Sequence, residues 1–345
     1  MTRNRSLSPQ VSSSRLRFPL ALHRTFGDPL VNETVASHMS DILSTKAAEA
    51  MGLGHLFHAD CAEILPFIET ESVNLILTSP PYNIGKSYER KARLEDYIDF
   101  QRHIIADCYR ILAPNGSICW QVGNYVNAGE IVPIDSIVIP IFRELGMKIR
   151  GRIVWTFGHG MHCTRRLSGR HETIVWATKS DDYRFDLDSI RVPQKYPQKR
   201  HYKGPKKGEL SGNPLGKNPG DVWEISNIKN RHPEKTSHPC QFPEELVRRL
   251  VLPLTAPGDI VLDPFAGSGT VGAVCNDLGR RSMLIERDAE FCDVIRRRLR
   301  LEESELVRQA TIAPTARTVP VQPNLFPPIP PEVVSPHGSP LVSRG

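Results

Sequence analysis

Gly258-Asp259-Ile260-Val261-Leu262-Asp263-Pro264-Phe265-Ala266-Gly267-Ser268-Gly269-Thr270 is the stretch of sequence that decides the fold. A short apolar run leads into a glycine-rich turn, and the residues after it predict a helix that ends at Gly279. A second predicted strand, Arg281 to Ile285, ends at Glu286. An acidic residue about 20 positions after such a turn typically holds ribose hydroxyls, and the interval from Gly267 to Glu286 matches. The pattern predicts an α/β fold with a nucleotide-like cofactor at the turn.

The glycine spacing alone leaves the kind of ligand open. Gly267 to Gly272 formally satisfies the G-x-G-x-x-G pattern of dinucleotide sites. No lysine follows the glycines in the arrangement of a phosphate-binding P-loop, so that class of site is excluded. A tight strand-to-helix turn without any ligand is the structural alternative.

A second motif, Thr78-Ser79-Pro80-Pro81-Tyr82, directly follows the apolar run Val73 to Leu77, which predicts a buried strand. Ligands of open α/β sheets bind outside the carboxyl ends of the strands. The two prolines stiffen this loop and leave carbonyls free to accept hydrogen bonds. Together with the Ser79 hydroxyl and the Tyr82 ring, these carbonyls suit an exocyclic amino group on a planar heterocycle. A proline turn with a packed tyrosine is the alternative without a function.

The two motifs together resemble those of the DNA amino-methyltransferases, which transfer a methyl group from S-adenosylmethionine to N4 of cytosine or N6 of adenine. The family's catalytic motif, [Asp/Asn/Ser]-Pro-Pro-[Tyr/Phe], corresponds to Ser79-Pro80-Pro81-Tyr82. Its cofactor motif, Phe-x-Gly-x-Gly, corresponds to Phe265-Ala266-Gly267-Ser268-Gly269. The catalytic motif comes first in this chain, as in the permuted beta group of the family.

The resemblance also implies roles for further residues. His238 and Phe242 lie in a segment similar to the one that precedes the family's cofactor strand, and Asp60 matches an aspartate that contacts the adenine amine. Arg166 to Lys179 resembles a late strand of the catalytic half with its preceding loop. The implied catalytic residues are Ser79, Pro80, Pro81 and Tyr82. The implied cofactor-binding residues are Asp60, Asp263, Pro264, Phe265, Gly267, Ser268, Gly269, Thr270, Glu286, His238 and Phe242.

Cysteine usage and hydropathy exclude several classes of protein. The seven cysteines include no C-x-x-C pair, which favours reduced thiols in a cytoplasmic protein over a disulfide scaffold. No apolar run approaches the roughly 18 residues that span a bilayer, so no membrane association is expected. His159, His162, Cys163 and His171 lie close together but match no standard zinc spacing, so no metal site is expected.

The positive charge of the chain is concentrated in one segment. Between Arg184 and Lys217 there are nine Lys or Arg and three Asp or Glu, an excess equal to the net charge of +6 of the whole chain. The segment is rich in proline and glycine, which predicts a loop-built insertion. Its position between the two motifs matches the family's target-recognition region, which contacts double-stranded DNA; a solvated surface loop is the alternative. The predicted DNA contacts are Lys195, Lys199, Arg200, Lys203, Lys206 and Lys207.

We therefore predict an α/β fold, a doubly wound and mostly parallel sheet of the Rossmann-like methyltransferase type, with about seven strands and a loop-rich target-recognition insertion. The strands that end at Ser79 and Asp263 should lie side by side. Further predicted elements are the helices Leu94–Leu112 and Glu244–Leu252 and the strands Ser117–Val122, Ile149–Phe157 and Glu172–Thr178. The predicted divisions are a disordered extension (1–45), a catalytic half (46–180), the insertion (181–237), a cofactor-binding half (238–305) and a disordered proline-rich tail (306–345).

The predicted reaction is site-specific methylation of a flipped base, because a base inside a duplex cannot reach a buried cofactor. In the family, Ser at the position of Ser79 favours N4 of cytosine over N6 of adenine, and the absence of Cys there argues against cytosine C5 chemistry. A restriction–modification setting, which can include a cognate restriction endonuclease, is expected. The alternatives are an N6-adenine, RNA or protein-glutamine methyltransferase, a nicotinamide-dependent dehydrogenase and a non-catalytic DNA-binding module. The oligomeric state stays open.

Overall fold

A computed structural model describes residues 48–51, 54–83, 92–127, 129–160 and 162–299. The predicted N-terminal extension and proline-rich tail lie outside the described residues. The strands of the described residues are β1 (Ala48–Met51), β2 (Gly54–His58), β3 (Val73–Thr78), β4 (Leu112–Val122), β5 (Asn124–Asn127), β6 (Glu130–Pro133), β7 (Lys148–Thr156), β8 (His171–Thr178), β9 (Val222–Glu224), β10 (Ile260–Asp263) and β11 (Arg281–Glu286). The α-helices are α1 (Cys61–Ile64), α2 (Leu94–Ile111), α3 (Ile134–Glu144), α4 (Glu244–Leu254), α5 (Thr270–Leu278) and α6 (Ala289–Arg298).

Nine of the described strands form one sheet in the order β1-β2-β11-β10-β3-β4-β8-β7-β9. Five neighbouring strands, from β2 to β4 in this order, are mutually parallel. β8 is antiparallel to both of its neighbours, β4 and β7, and β9 is parallel to β7. Helix α2 packs with α3, and α4 packs with α5. The mostly parallel α/β sheet is therefore confirmed.

The two motif-bearing strands lie next to each other in the middle of this sheet. β3 pairs in parallel with β10, with Val261 opposite Leu75 and Leu262 opposite Ile76. These four side chains are fully buried, as expected for strands that are covered on both faces. The carboxyl ends of β3 and β10 therefore deliver their loops to the same edge of the sheet, as predicted.

The predicted helices form close to their expected bounds. Helix α2 buries one stripe of side chains at helical spacing: Tyr97, Gln101, Ile104, Ile105, Cys108 and Ile111. Helix α5 ends where Gly279 adopts a left-handed conformation with φ of 68°, which glycine tolerates without steric cost. Helix α4 continues to Leu254, beyond its predicted end at Leu252.

The predicted strand count of about seven is wrong for the central sheet. The two additional strands, β1 and β9, lie at its two edges and contain only four and three residues. Such short segments carry no readable alternation of polar and apolar residues, so the sequence pattern could not identify them. β9 also falls inside the range predicted as the insertion, whose boundaries stay predictions. None of the described helices combines the length and apolarity that crossing a membrane requires.

Candidate functional site

A single cavity brings most of the predicted site residues together at the carboxyl edge of the parallel strands. The loop after β3 forms one wall, and the loops after β2, β10 and β11 form others. Its lining residues are Ala59, Asp60, Cys61, Ser79, Pro80, Pro81, Tyr82, Phe100, His238, Cys240, Gln241, Phe242, Pro264, Phe265, Ala266, Gly267, Ser268, Thr270, Ile285, Glu286, Arg287, Asp288 and Phe291. All four predicted catalytic residues are among them.

The hydroxyl groups of the catalytic motif belong to one hydrogen-bond network. Ser79 Oγ lies 3.1 Å from Tyr82 Oη, and Tyr82 Oη donates to Glu172 Oε2 at 3.3 Å. The side-chain amide of Gln121, on β4, donates to the same carboxylate oxygen. A Cβ atom on Gly123 would lie only 2.9 Å from the Tyr82 ring, so a side chain at that position would displace the ring. The network fixes the tyrosine ring beside Ser79.

Glu172 is a carboxyl group held behind the catalytic loop. Burial raises the pKa of Glu172, although the hydrogen bonds from Gln121 and Tyr82 oppose the shift by stabilising the ionised form. Burial also raises the pKa of Tyr82 well above its usual value, and the neighbouring charge of Glu172 adds to the shift. Tyr82 therefore stays a neutral hydrogen-bond donor at neutral pH, and Glu172 acts as its acceptor.

Helix α2 supports the same loop from the other side. The Tyr97 hydroxyl donates to the Pro81 carbonyl at 3.0 Å. Asn83, just after the motif, exchanges two hydrogen bonds with the backbone of Ala92: its amide donates to the carbonyl at 2.9 Å, and its oxygen accepts from the backbone N–H at 2.6 Å. These contacts hold the carboxyl-terminal part of the stiff proline loop.

The glycine turn and Glu286 form the opposite wall of the cavity. The backbone N–H of Gly267 donates to Glu286 Oε2 at 2.8 Å, and that of Asp288 donates to Oε1 at 2.9 Å. Burial raises the pKa of Glu286, and these backbone donors oppose the shift. Gly267 has φ of 52°, and a Cβ atom there would lie 3.1 Å from the His238 ring. The turn therefore needs glycine for its backbone conformation and for the close approach of the imidazole.

His238 is a neutral, buried part of this wall. Burial lowers the pKa of His238 to about 4, and its Nδ1 accepts a hydrogen bond from the backbone N–H of Cys240. Its ring packs edge-on against Phe291 with a centroid distance of 4.4 Å. Phe265 lies between other rings, 6.0 Å from Phe100 and 6.2 Å from Trp120. This side of the cavity offers flat apolar surfaces beside the acidic groups.

Asp60 lies at the end of the cavity formed by β2. Its Oδ1 caps helix α1 by accepting from the backbone N–H of Ala62 at 2.9 Å, while Oδ2 lies 4.0 Å from the Arg287 guanidinium. Asp60 and Glu286 thus present two carboxylates to one cavity whose remaining walls include glycine backbone and phenylalanine rings. A molecule that combines hydroxyl and amino donors with an aromatic ring matches this set of groups.

Two of the predicted cofactor residues do not line the cavity. Asp263 is 1% exposed and lies behind the loops, where burial raises its pKa to about 7. Gly269 precedes helix α5 with φ of 73°, and a Cβ atom there would lie 3.0 Å from Ile295 on α6. Asp263 joins the two strand ends by accepting from Thr78, and Gly269 permits the close packing of helix α6; their contacts with a cofactor stay predictions.

The sequence patterns missed several residues that shape the site. Glu172 and Gln121 adjoin the apolar runs of β8 and β4, and this position was the available sign of a role. Phe100 lines the cavity. It was missed because it recurs at helical spacing with the apolar residues of helix α2, a pattern that indicates only a packed helix face. Arg298, the last residue of α6, donates to Ser268 and Thr270 and forms an ion pair with Glu244 at 2.7 Å. This contact joins α6 to the glycine turn and to the start of α4.

The predicted DNA-binding residues lie away from the cavity, in a segment that we call the basic arm (residues 191–217). Its two ends pair through an isolated bridge between Val192 and Lys217, and a second bridge joins Arg200 to Leu210. The arm follows a 3₁₀ turn, Leu187–Ile190, which packs against α4; Asp186 N donates to Pro253 O near the end of that helix. The base of the arm therefore lies near the amino ends of the parallel strands, opposite the catalytic loops. All six predicted DNA-contact side chains are exposed: Lys195, Lys199, Arg200, Lys203, Lys206 and Lys207.

Comparisons with known proteins identify the family of this chain. A family model described as DNA methylase matches residues 73–297. The type II methyltransferase M.BglII of Bacillus subtilis is 51% identical over 243 residues, covering 70% of this chain and 68% of that protein. The DNA adenine methyltransferase YhdJ of Escherichia coli (strain K12) is 36% identical over 249 residues, covering 71% of this chain and 82% of that protein.

The fold is shared with a solved methyltransferase. The structure of PvuII DNA methyltransferase (cytosine-N4-specific) matches with a TM-score of 0.58 at 20% identity, covering 74% of this chain and 95% of that chain. The central sheet with its helices is therefore the Rossmann-like methyltransferase fold that the sequence predicts.

Proposed function

We propose a function for this chain, which belongs to the N6/N4 DNA methylase family. It is a DNA amino-methyltransferase, and S-adenosylmethionine is its methyl donor. This membership sets aside the dehydrogenase and the non-catalytic DNA-binding module as alternatives. Our proposal concerns the finer points: the target atom, the roles of the site residues and the biological setting.

We propose that the enzyme methylates N4 of cytosine at a specific DNA sequence in a restriction–modification setting. The observation that carries the proposal is the shared cavity, which is lined both by Ser79 and Tyr82 and by the glycine turn and Glu286. Serine at the first position of the catalytic motif supports cytosine, since family members with Asp there lean towards adenine. A cognate restriction endonuclease that cuts the same sequence would complete the setting.

The residues around the glycine turn and Glu286 suit S-adenosylmethionine. Glu286 would accept from the two ribose hydroxyls, and Asp60 would accept from the adenine amine. Gly267 lines the same wall, and the rings of Phe265 and Phe291 offer the cofactor flat apolar contacts. When bound, S-adenosylmethionine supplies a methyl group that is already activated by the positive charge of its sulfonium.

The catalytic loop acts on the base and not on the cofactor. Ser79 Oγ and the Pro80 carbonyl would accept from the exocyclic amine of the flipped base, which directs the nitrogen lone pair away from the ring and towards the methyl group. Tyr82 would stack on the base with a ring whose position is fixed by Glu172 and Gln121. The protein thereby contributes alignment and placement of charge. No covalent intermediate with the protein is needed.

Nucleoside analysis tests the proposal directly. The purified chain would be incubated with S-adenosylmethionine and unmethylated bacterial genomic DNA, and the digested DNA would be examined by mass spectrometry. We expect N4-methylcytosine as the new nucleoside, and none from the Ser79→Ala variant. Absence of any methylated nucleoside with the wild-type chain would overturn the proposed activity.

N6-methylation of adenine is the second candidate function. The relative YhdJ, which is named a DNA adenine methyltransferase, favours it. The physical chemistry permits both targets, because each amine offers the same two hydrogens to Ser79 and the Pro80 carbonyl. The same digest decides between them: N6-methyladenine as the sole new nucleoside would overturn the choice of cytosine. Modification-sensitive sequencing of that DNA would then give the recognition sequence.

A further inference from the structure

The connection between β7 and β8 carries an exposed loop at the same edge of the sheet as the cavity. We define the arginine loop as residues 162–170. Thr156, at the end of β7, pairs with His171, at the start of β8, and Phe157 N donates to Arg170 O at 3.0 Å. Glu172, two residues beyond the loop, accepts the hydrogen bond from Tyr82. The arginine loop is therefore anchored beside the catalytic motif.

The charge of this loop is of one sign. Residues 162–170 contain Arg165, Arg166 and Arg170 and no Asp or Glu. The two consecutive arginines are exposed to solvent. The backbone N–H of Cys163 donates to Ser168 Oγ at 3.0 Å, which closes the turn that carries them. A closed turn of this charge, beside a site for a DNA base, is complementary to the phosphates that flank the base.

Leu167 is the unusual member of the loop. Its side chain is 93% exposed, the highest value among the exposed large hydrophobic residues that the structure describes. A leucine held in water next to two arginines gains nothing from the fold of its own chain, because burial of apolar surface is what stabilises such a side chain. Proteins that bend or open DNA insert apolar side chains of this kind between base steps.

We propose that the arginine loop enters double-stranded DNA at the target site, with Leu167 occupying the space that the flipped base leaves. Arg165 and Arg166 bind the phosphates on either side and hold the loop in the groove. Leucine replaces part of the stacking that neighbouring bases lose when the target leaves the helix, so it stabilises the extruded state. The proposal rests on the proposed function, because it requires a base to be flipped into the cavity.

A side chain that fills the space left by a flipped base, which we call a wedge, differs from an ordinary DNA contact in one property. It is needed when the target base must be pulled out of a paired stack, and it is dispensable when the base is already unpaired. The experiment uses two synthetic duplexes that carry the mapped recognition sequence. In one the target base is paired normally, and in the other it lies opposite an abasic site. The variant is Leu167→Ala, and its matched control is Ile131→Ala, a 46%-exposed isoleucine in β6 that lies outside both the cavity lining and the basic arm.

We expect Leu167→Ala to slow methyl transfer on the paired duplex by about tenfold or more, and to approach the wild-type rate on the abasic duplex, because unpairing removes much of the cost of flipping. The Ile131→Ala rate should equal the wild-type rate on both duplexes. The double variant Arg165→Gln with Arg166→Gln should weaken binding to both duplexes and lower the slope of log affinity against log salt by nearly 2, at about 0.9 per phosphate contact.

The outcomes separate this proposal from the proposed function. If wild-type enzyme methylates the paired duplex and Leu167→Ala does so equally fast, the wedge is overturned while the activity stands. An equal loss of rate on both duplexes would also overturn it, since that pattern indicates a general binding contact. If the wild-type chain transfers no methyl group to either duplex, the proposed function itself fails.

Discussion

Thr78 Oγ1 donates a 2.6 Å hydrogen bond to Asp263 Oδ1, which joins the ends of the catalytic strand and the cofactor strand. Both residues are almost completely buried. Asp263 Oδ1 also accepts from the backbone N–H of Phe265 at 3.1 Å, at the start of the glycine turn. One carboxyl group thus fixes the relative positions of the two loops that form the cavity, although the two motifs are far apart in the sequence.

The first prediction concerns the pH dependence of stability. Burial raises the folded-state pKa of Asp263 to about 7, well above its ordinary value of 3.8. The folded protein therefore binds the proton more tightly than the unfolded chain does, and this contribution to stability is fully present below pH 4. It is lost as the pH rises through about 7. We expect Asp263→Asn to remove this loss, so the difference in melting temperature between variant and wild type should change between pH 4 and 8.

Thermal unfolding monitored by circular dichroism across that pH range is the measurement. The comparison of the two proteins at each pH cancels the titration of all other groups. A difference in melting temperature that stays constant with pH would show that Asp263 ionises in the folded protein as it does in the unfolded chain.

The second prediction separates the catalytic loop from the cofactor wall. Ser79→Ala and Tyr82→Ala should nearly abolish methyl transfer and leave the affinity for S-adenosylmethionine unchanged, because these side chains act on the base. Tyr82→Phe should be milder, since stacking depends on the ring more than on the hydroxyl. Isothermal titration calorimetry with S-adenosylmethionine is the check, and loss of cofactor binding in either alanine variant would refute this division of roles.

The third prediction concerns Glu172, which positions Tyr82. Glu172→Gln keeps the size of the side chain but removes the charge that accepts from Tyr82 and Gln121. We expect kcat to fall by about tenfold to a hundredfold, as for loss of a charge-assisted hydrogen bond, with unchanged cofactor affinity. Because burial raises the pKa of Glu172, the wild-type rate should fall as the pH drops through that raised pKa.

The pH profile of Glu172→Gln decides whether the carboxylate has this role. The variant should lose the acidic limb that the wild-type rate shows. An acidic limb of unchanged position in the variant would assign the titration to another group. Equal loss of rate at every pH, with the limb retained, would indicate that Glu172 only maintains the local structure.

The fourth prediction concerns the cofactor wall. Glu286→Ala should weaken S-adenosylmethionine binding by roughly 1.5–3 kcal/mol, because it removes a charged acceptor for two hydroxyl groups. Glu290→Ala, which changes an exposed acidic residue in the first turn of α6, is the matched control and should bind as the wild type does. Equal affinity of Glu286→Ala and the control, measured by calorimetry, would rule out the proposed contact with the ribose.

The fifth prediction tests the basic arm. If Lys206 and Lys207 contact phosphates, changing both to Gln should lower the slope of log affinity against log salt by nearly 2, at about 0.9 per contact. Affinity for S-adenosylmethionine should not change, because the arm does not line the cavity. Fluorescence anisotropy with a labelled duplex at several salt concentrations gives the slope. An unchanged slope with normal methylation would indicate that the arm is a solvated surface loop and does not bind DNA.

The sequence determined those parts of the molecule that depend on neighbouring residues. The run from β10 through the glycine turn to α5 could be predicted because strand propensity, a positive φ and a helix stop at Gly279 each leave a local mark on the chain. The Ser-Pro-Pro-Tyr loop could be predicted for the same reason, since proline fixes its own backbone and restricts its neighbour. The adjacency of β3 and β10 then followed from the order of the two motifs in the family.

Only the tertiary structure decided which distant groups meet. Glu172 and Gln121 lie on β8 and β4, and their contact with Tyr82 depends on the register of an antiparallel pair in which Gln121 faces Ile174. Nothing in the local sequence fixes such a register, because cross-strand pairing reflects packing between segments far apart in the chain. The same reason explains why the sequence did not show that Asp263, predicted as a cofactor-binding residue, also accepts a hydrogen bond from Thr78 on the neighbouring strand. It also explains why the base of the basic arm lies opposite the catalytic loops, while the arginine loop lies beside them.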